Sequence, residues 1–154
     1  MSRWQPDRGA VIEAFRPEHT DELLLMWRES FEHGVGVVDP HPLAEQRNYL
    51  LDAVVPHNTT CVAILEGRIV GFVAATPSSI AQLYVRNGFH RRGIGALLLT
   101  WAKERSNGSL WLHTFEQNAV ARAFYEKNGF RIVERGFEPL WQLPDLKYQW
   151  DRPG

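Results

Sequence analysis

Residues 81–101 read AQLYVRNGFHRRGIGALLLTW, and the fold follows from how this stretch changes character along its length. It opens as a strand: Leu83, Tyr84 and Val85 are the apolar, aromatic and β-branched types that suit a pleated surface. Asn87-Gly88 then turns the chain, since both residues tolerate positive φ. After His90, Arg91 and Arg92 come Gly93, Ile94, Gly95 and Ala96, and a helix begins. Ile94, Leu97, Leu98 and Trp101 recur at i, i+3, i+4 and i+7, which predicts one apolar stripe on that helix. A strand running through a basic, glycine-bearing turn into a helix is an anion site. The N–H groups of the first helical turn have no intrahelical acceptor, and the helix dipole favours negative charge there. Gly93 and Gly95 carry no Cβ, so a phosphate can approach the backbone.

Two phosphate loops are excluded by the residues that would do their chemistry. A Walker loop built on Gly88 and Gly93 needs Lys and then Ser or Thr, where Ile94 and Gly95 stand. A dinucleotide fingerprint built on Gly93 and Gly95 needs Gly or Ala at Leu98. A second stretch, residues 118–130 (NAVARAFYEKNGF), reads as a helix with marked ends. Asn118 is a favoured N-cap, and Gly129 suits the left-handed position past the last turn, with Phe130 folding back.

The two stretches, in this order and separation, resemble the two halves of the cofactor site of the GNAT superfamily of acetyl-CoA-dependent N-acetyltransferases. The family's loop pattern is V-x-x-x-x-[Q/R]-x-x-G-x-[G/A]. Val85, Gly93 and Gly95 match it, and His90 in place of Gln or Arg is a departure. The second half follows the family's Asn, Ala, Tyr and Gly-Phe pattern at Asn118, Ala119, Tyr125, Gly129 and Phe130. The resemblance implies an α/β fold with a mixed, mostly antiparallel sheet of about seven strands and about four helices, its central strands splayed around acetyl-CoA. It implies N-acetyltransfer from acetyl-CoA to a primary amine by direct transfer. The acceptor, a small molecule or a peptide or protein amino group, stays open. The rival reading is a non-catalytic acyl-CoA-binding or sensing module on the same fold. Retention of both Tyr125 and the loop favours turnover.

Acetyl transfer asks for an oxyanion donor, a proton for the leaving sulfur and a neutral amine. The resemblance assigns the first to a backbone N–H near Tyr84 or Val85, and pantetheine contacts to the backbone of Leu83, Tyr84 and Val85. The side chains of the same strand can pack in a core. It places the pyrophosphate against His90, Arg91, Arg92, Gly93, Ile94, Gly95 and Ala96, where arginine adds a planar fork and a neutral imidazole only one donor. It gives Tyr125 the role of acid, because a phenol of pKa ~10 can protonate a thiolate of similar basicity. The alternative is a packed tyrosine with a locally bonded hydroxyl. Asn118 is a cofactor contact, a plain N-cap, or both.

The base is open. Many relatives place a Glu on the central strand, where Ser78, Ser79 and Gln82 stand here, none of them a base. Strand alternation puts Trp111, His113 and Phe115 on one face and Leu110, Leu112 and Thr114 on the other. If the first face lines the slot, His113 is a catalytic candidate; otherwise it is structural. Glu32, His33, Asp39 and His41 crowd one loop and offer water-mediated routes, and an amine arriving neutral needs no base. Acceptor contacts are expected from residues 31–42 and 137–145, namely Phe31, Glu32, His33 and Trp141.

The remaining chain fits one domain. Its 154 residues can bury a real core, and 44% hydrophobic with 23% charged is ordinary for a soluble protein. A net charge of −1 gives no argument for nucleic acid. One cysteine, Cys61, excludes an internal disulfide, fits a reducing compartment and sits in an apolar strand. No signal-peptide stretch is evident, and the longest apolar run, residues 69–75, is too short for a bilayer. A soluble cytoplasmic protein is expected, with no membrane, metal or nucleic-acid partner; a homodimer is compatible with the family. Residues 1–9 are expected to be loose. The predicted order is a strand at 11–15, a helix through Leu23, Leu24, Trp27 and Phe31, a loop at 31–42, and a helix at 43–54 with Leu43, Arg47, Leu50, Leu51 and Val54 inward. Strands at 59–65 and 69–76 form a hairpin before the central strand and its helix. Then come a strand at 109–115, the Asn118 helix, and strands at 131–137 and 146–150.

Overall fold

A computed structural model describes residues 9–154. The segment expected to be loose, residues 1–9, lies outside the described residues except for Gly9. The described residues form β1 (Val11–Ala14), α1 (Thr20–Val35), α2 (Leu43–Tyr49), β2 (Thr59–Leu65), β3 (Arg68–Ala75), β4 (Ile80–Val85), α3 (Ile94–Glu104), β5 (Ser109–Phe115), α4 (Ala119–Lys127), β6 (Arg131–Glu138) and β7 (Leu143–Asp151). A π turn, Leu50–Val54, and a short 3-10 turn, Val55–His57, continue α2. The order of elements is the one read from the sequence.

The strands make two antiparallel sheets, β1-β2-β3-β4 and β5-β7-β6. A single parallel bridge, Ser79 with Trp111, joins them, and the Trp111 N–H donates to the Ser78 carbonyl at 3.1 Å. Beyond that point β4 and β5 have no ladder between them. A bulge helps to part them: Ile80 stands opposite Ala75 and Gln82 opposite Ala74, so Ala81 is an extra residue in β4. The apolar residues then sort to two sides. Leu98 and Leu99 of α3 and Tyr125 of α4 are buried with Val73, Leu110, Leu146 and Tyr148 of the sheets. Leu23, Leu24 and Met26 of α1 and Leu50 of the π turn are buried against Val62 of β2 and Phe72 of β3. Each fully buried Leu contributes roughly 1.5–3 kcal/mol, so both cores hold the slot between the sheets open by holding its walls.

Three expectations need correction. The loop at 31–42 begins later, because α1 runs on to Val35. Its glycines are packing and capping residues rather than breakers. A Cβ on Gly34 would lie 2.9 Å from the Asn118 amide nitrogen, and Gly36 closes the helix at φ 83° with its N–H on Glu32. The buried stripe of α3 is Ile94, Leu98, Leu99 and Ala102, with Leu97 and Trp101 at its flank. That helix docks where Gly71 leaves room for Leu98, since a Cβ there would come within 2.9 Å of it. On the second helix only Leu50 and Val54 are buried. The first turns of α2 lie over the polar flank of α1, where Arg47 pairs with Asp21 and Gln46 accepts from Arg28 at 3.0 Å.

Candidate functional site

The turn after β4 is anchored before it opens. Ser30 of α1, a residue without any sequence signal, donates its hydroxyl to the Val85 carbonyl at 2.8 Å in a buried bond. Arg86 is turned away, donating to the Ile69 carbonyl at 2.7 Å and to Glu22 at 3.0 Å. Arg91 and Gly93 take positive φ, 66° and 82°, and the first intrahelical bond of α3 is Leu97 N–H to Gly93 at 2.9 Å. The N–H groups of Ile94, Gly95 and Ala96 precede that bond, at the positive end of the helix. His90, Arg91 and Arg92 are exposed around them. Arg92 and Arg68 lie over the Phe89 ring at 5.0 and 5.6 Å, so the loop borrows a cation from the β2–β3 hairpin. Gly95 has a second reason to be glycine: a Cβ would meet the Phe124 ring at 3.2 Å, where α3 and α4 touch. Partial desolvation, with the His33 imidazole as a smaller cause, lowers the His90 pKa below the ordinary histidine value.

The slot itself is lined by Ala81, Gln82, Leu83 and Tyr84 on one side and Leu112, His113 and Thr114 on the other, with Asn118, Ala121 and Tyr125 from α4. Backbone direction follows from the register. Arg86 N–H bonds the Val70 carbonyl, and Tyr84 faces Phe72 two steps along the same ladder. Alternation therefore commits Tyr84 to β3 and turns the N–H groups of Leu83 and Val85 into the slot. Likewise the Trp111 N–H points at β4, and those of His113 and Phe115 point the same way where no strand pairs with them. Of the two residues expected to offer the oxyanion donor, Tyr84 and Val85, Val85 is the one whose N–H faces the slot.

Tyr125 is buried, packed edge-on against Phe124 and Phe130 at 5.3 and 5.4 Å. Burial, with Tyr84 as a second cause, pushes its phenol above the ordinary tyrosine pKa, so it holds its proton at neutral pH. It lines the slot without a hydrogen bond among the described residues. Tyr84, stacked on Phe72 with ring centroids 6.1 Å apart, is pushed up to about 12 by burial. Asn118 caps α4, its Oδ1 accepting the Ala121 N–H at 3.1 Å, which leaves its amide N–H₂ for a ligand.

At the other end four rings from four places meet. Phe31 of α1 lies 5.0 Å from Trp141 and 6.1 Å from Phe115 of β5, and His41 lies 5.4 Å from Trp141. Phe31 and Trp141 are thus brought together, and Phe115 joins them. Glu32 is occupied in holding a loop, its carboxylate accepting the Asp39 N–H at 2.7 Å. His33 is exposed and acts on His90, at the phosphate end. The His113 side chain is exposed on the open face of its sheet, edge-on to Trp111 at 5.5 Å. Among the described residues no group is placed to hold a metal ion, and no helix is long and apolar enough to cross a membrane. Sequence reasoning missed Ser30, Arg68 and Ala121, and it reached Phe115 only through the strand alternation that puts it on the face of His113.

Comparison with known proteins gives the same architecture a context. The family model for the acetyltransferase (GNAT) family matches residues 15–130. The chain is 28% identical over 141 residues to the peptidyl-lysine N-acetyltransferase YiaC of Escherichia coli (strain K12), covering 91% of this chain and 95% of that one. It is 28% identical over 125 residues to the peptidyl-lysine N-acetyltransferase YjaB of Salmonella typhimurium, covering 80% and 85%. Among solved structures, the apo form of YjaB from Escherichia coli superposes with a TM-score of 0.77 at 24% identity, over 94% of this chain and 99% of that chain. The PaiA N-acetyltransferase from Thermoplasma acidophilum in complex with coenzyme A gives 0.72 at 17% identity, over 92% and 98%.

Proposed function

The chain belongs to the acetyltransferase (GNAT) family, and from that premise we propose that its acceptor is the ε-amine of a lysine carried on a peptide or protein. The enzyme transfers an acetyl group from acetyl-CoA to a primary amine. The loop fits a diphosphate: the N–H groups of Ile94, Gly95 and Ala96 open at a helix N-terminus beside exposed Arg91 and Arg92. When bound, acetyl-CoA supplies the activated thioester; the rest is the work of this chain. Val85 offers its N–H to the developing oxyanion, and Leu83, His113 and Phe115 offer edge groups to amides in the slot. Tyr125, kept protonated by its burial, donates to the departing sulfur.

The observation that carries the acceptor reading is the cluster of half-exposed rings, Phe31, Phe115 and Trp141, at the end of β5. Aromatic walls suit a thin aliphatic stem ending in a cation. Two relatives whose names specify peptidyl-lysine support the same class. The test is thiol release from acetyl-CoA with a lysine peptide, a free polyamine and free amino acids as competing acceptors, followed by mass mapping of the product. The lysine peptide is expected to give the highest kcat/KM, with the acetyl group on the ε-nitrogen. A polyamine preferred by more than about tenfold, some 1.4 kcal/mol of transition-state binding, would replace this acceptor class. Cofactor binding without thiol release from any amine would favour a sensing module.

A further inference from the structure

We propose that His41, oriented by Asp39, is the general base that takes the proton from the acceptor ammonium; this rests on the transfer reading above. An alkylammonium has no lone pair, so a proton must leave before nitrogen can attack. The central strand offers no group for it. Ser78 and Ser79 are tied up with Thr76, whose hydroxyl meets the Ser79 hydroxyl at 2.8 Å and accepts the Ser78 N–H at 3.2 Å. His113 lines the slot from β5, but among the described residues its ring has no hydrogen-bond partner to orient it.

The connection between α1 and α2 carries a dyad instead. Asp39 Oδ1 lies 2.7 Å from His41 Nδ1 and also accepts the His41 N–H at 2.9 Å. A carboxylate only accepts, so Nδ1 carries the proton and the neutral ring keeps its lone pair on Nε2. Asp39 is firmly held. Its side chain is 11% exposed, its N–H is fixed by Glu32, and the Arg28 guanidinium stands 3.6 Å from Oδ2. Arg28 also donates to the His41 carbonyl and to Gln46, so α1, α2 and the loop position one imidazole. The charged groups around it are Asp39, Arg28 and Glu32. From the β6–β7 side the neighbour is Trp141, whose N–H is held by Glu138 at 2.7 Å. Trp141 joins His41 to Phe31 and Phe115, and so to the end of the slot. In the step, an N–H bond of the ammonium breaks and its electron pair stays on nitrogen. The Nε2 lone pair forms the new N–H bond, Asp39 faces the resulting imidazolium, and the half-exposed ring passes the proton to water.

The test uses the full chain, acetyl-CoA and the acceptor selected by the amine panel, with kcat/KM read between about pH 6 and pH 9. His41→Gln is expected to lower kcat/KM by about 10²-fold near neutrality, with the loss shrinking as pH rises because more amine then arrives unprotonated. Free imidazole should restore part of the rate to His41→Ala. Asp39→Asn keeps the acceptor oxygen and removes the charge, and should lose about tenfold. Acetyl-CoA affinity should hold in all three, which also reports that they fold. A loss equal at every pH and unmoved by imidazole would make the dyad a loop staple and overturn the proposal, as would wild-type behaviour of His41→Gln. A wild type that turns over no amine is a different result: it removes the transfer reading, and the base with it.

Discussion

The two ends of the slot are built by opposite means. At the end proposed for the phosphates the candidate groups are backbone N–H donors on one continuous stretch, from Val85 to Ala96, shaped by positive φ at Arg91 and Gly93. At the end proposed for the acceptor they are side chains, Phe31, His41, Phe115 and Trp141, delivered by separate elements. A diphosphate has a fixed shape and charge, so a fixed backbone cradle serves it. An acceptor amine varies, and side chains in connecting segments can change without disturbing the cradle. Tyr125 stands between the two ends, on the helix that lines the slot.

That division can be broken by four substitutions, taken from the largest effect down. Tyr125→Phe removes only the hydroxyl, so packing should persist and turnover should fall on the order of 10²–10⁴-fold with acetyl-CoA affinity nearly constant. Wild-type turnover in the folded variant, with chemistry limiting the rate, would reduce Tyr125 to packing. Gly93→Val places a β-branched residue at φ 82°, straining the loop by about 1–2 kcal/mol and filling the approach to the N–H groups. Calorimetry should show CoA binding weaker by about ten- to a hundredfold, 1.4 kcal/mol per decade; unchanged affinity would end the backbone-cradle account. Trp141→Ala should raise the acceptor KM by about tenfold, which is 1.4 kcal/mol of binding, and leave CoA affinity alone. An equal loss on both sides would show that the ends are not separable.

The smallest effect concerns His90. Its lowered pKa means the native loop prefers the neutral ring, so protonation costs stability as pH falls below the ordinary histidine value. A bound diphosphate favours the imidazolium, so binding takes up protons. CoA affinity should therefore rise about two- to threefold from pH 8 to pH 6, and His90→Gln should flatten that slope. A wild-type titration without slope would remove His90 from the site.

The same division explains what could be read from the chain. β2 and β5 run over the predicted spans, and the loop, its helix and the Asn118 cap were legible because contiguous residues encode them. The parting of the sheets was not, since it depends on the bulge at Ala81 and on one bridge between distant segments. Gly34 falls in the stretch expected to be a loop, and its place in α1 was not legible because the nearness of Asn118 is a tertiary fact. The face on which His113 stands, and the choice of Val85 over Tyr84, hang on strand register, which a period of two leaves open until pairing is known. Ser30 had no signal at all, its partner being a carbonyl in another element.

The lone bridge between Ser79 and Trp111 also bears on how the chain acquires and loses its order. In the first sheet each strand pairs with the next strand in the chain, β1 reaching β2 across α1 and α2, whereas in the second β5 skips β6 and pairs with β7 across α4. With so little ladder across the seam, the two halves should open as distinct cooperative units, and amide hydrogen exchange in the native protein should give them different opening free energies. On the site proposed above, CoA would lie in the seam, touch both halves and link their opening. Its signature is then an equal increment in both opening energies, which grows with CoA concentration as RT ln(1 + [L]/Kd).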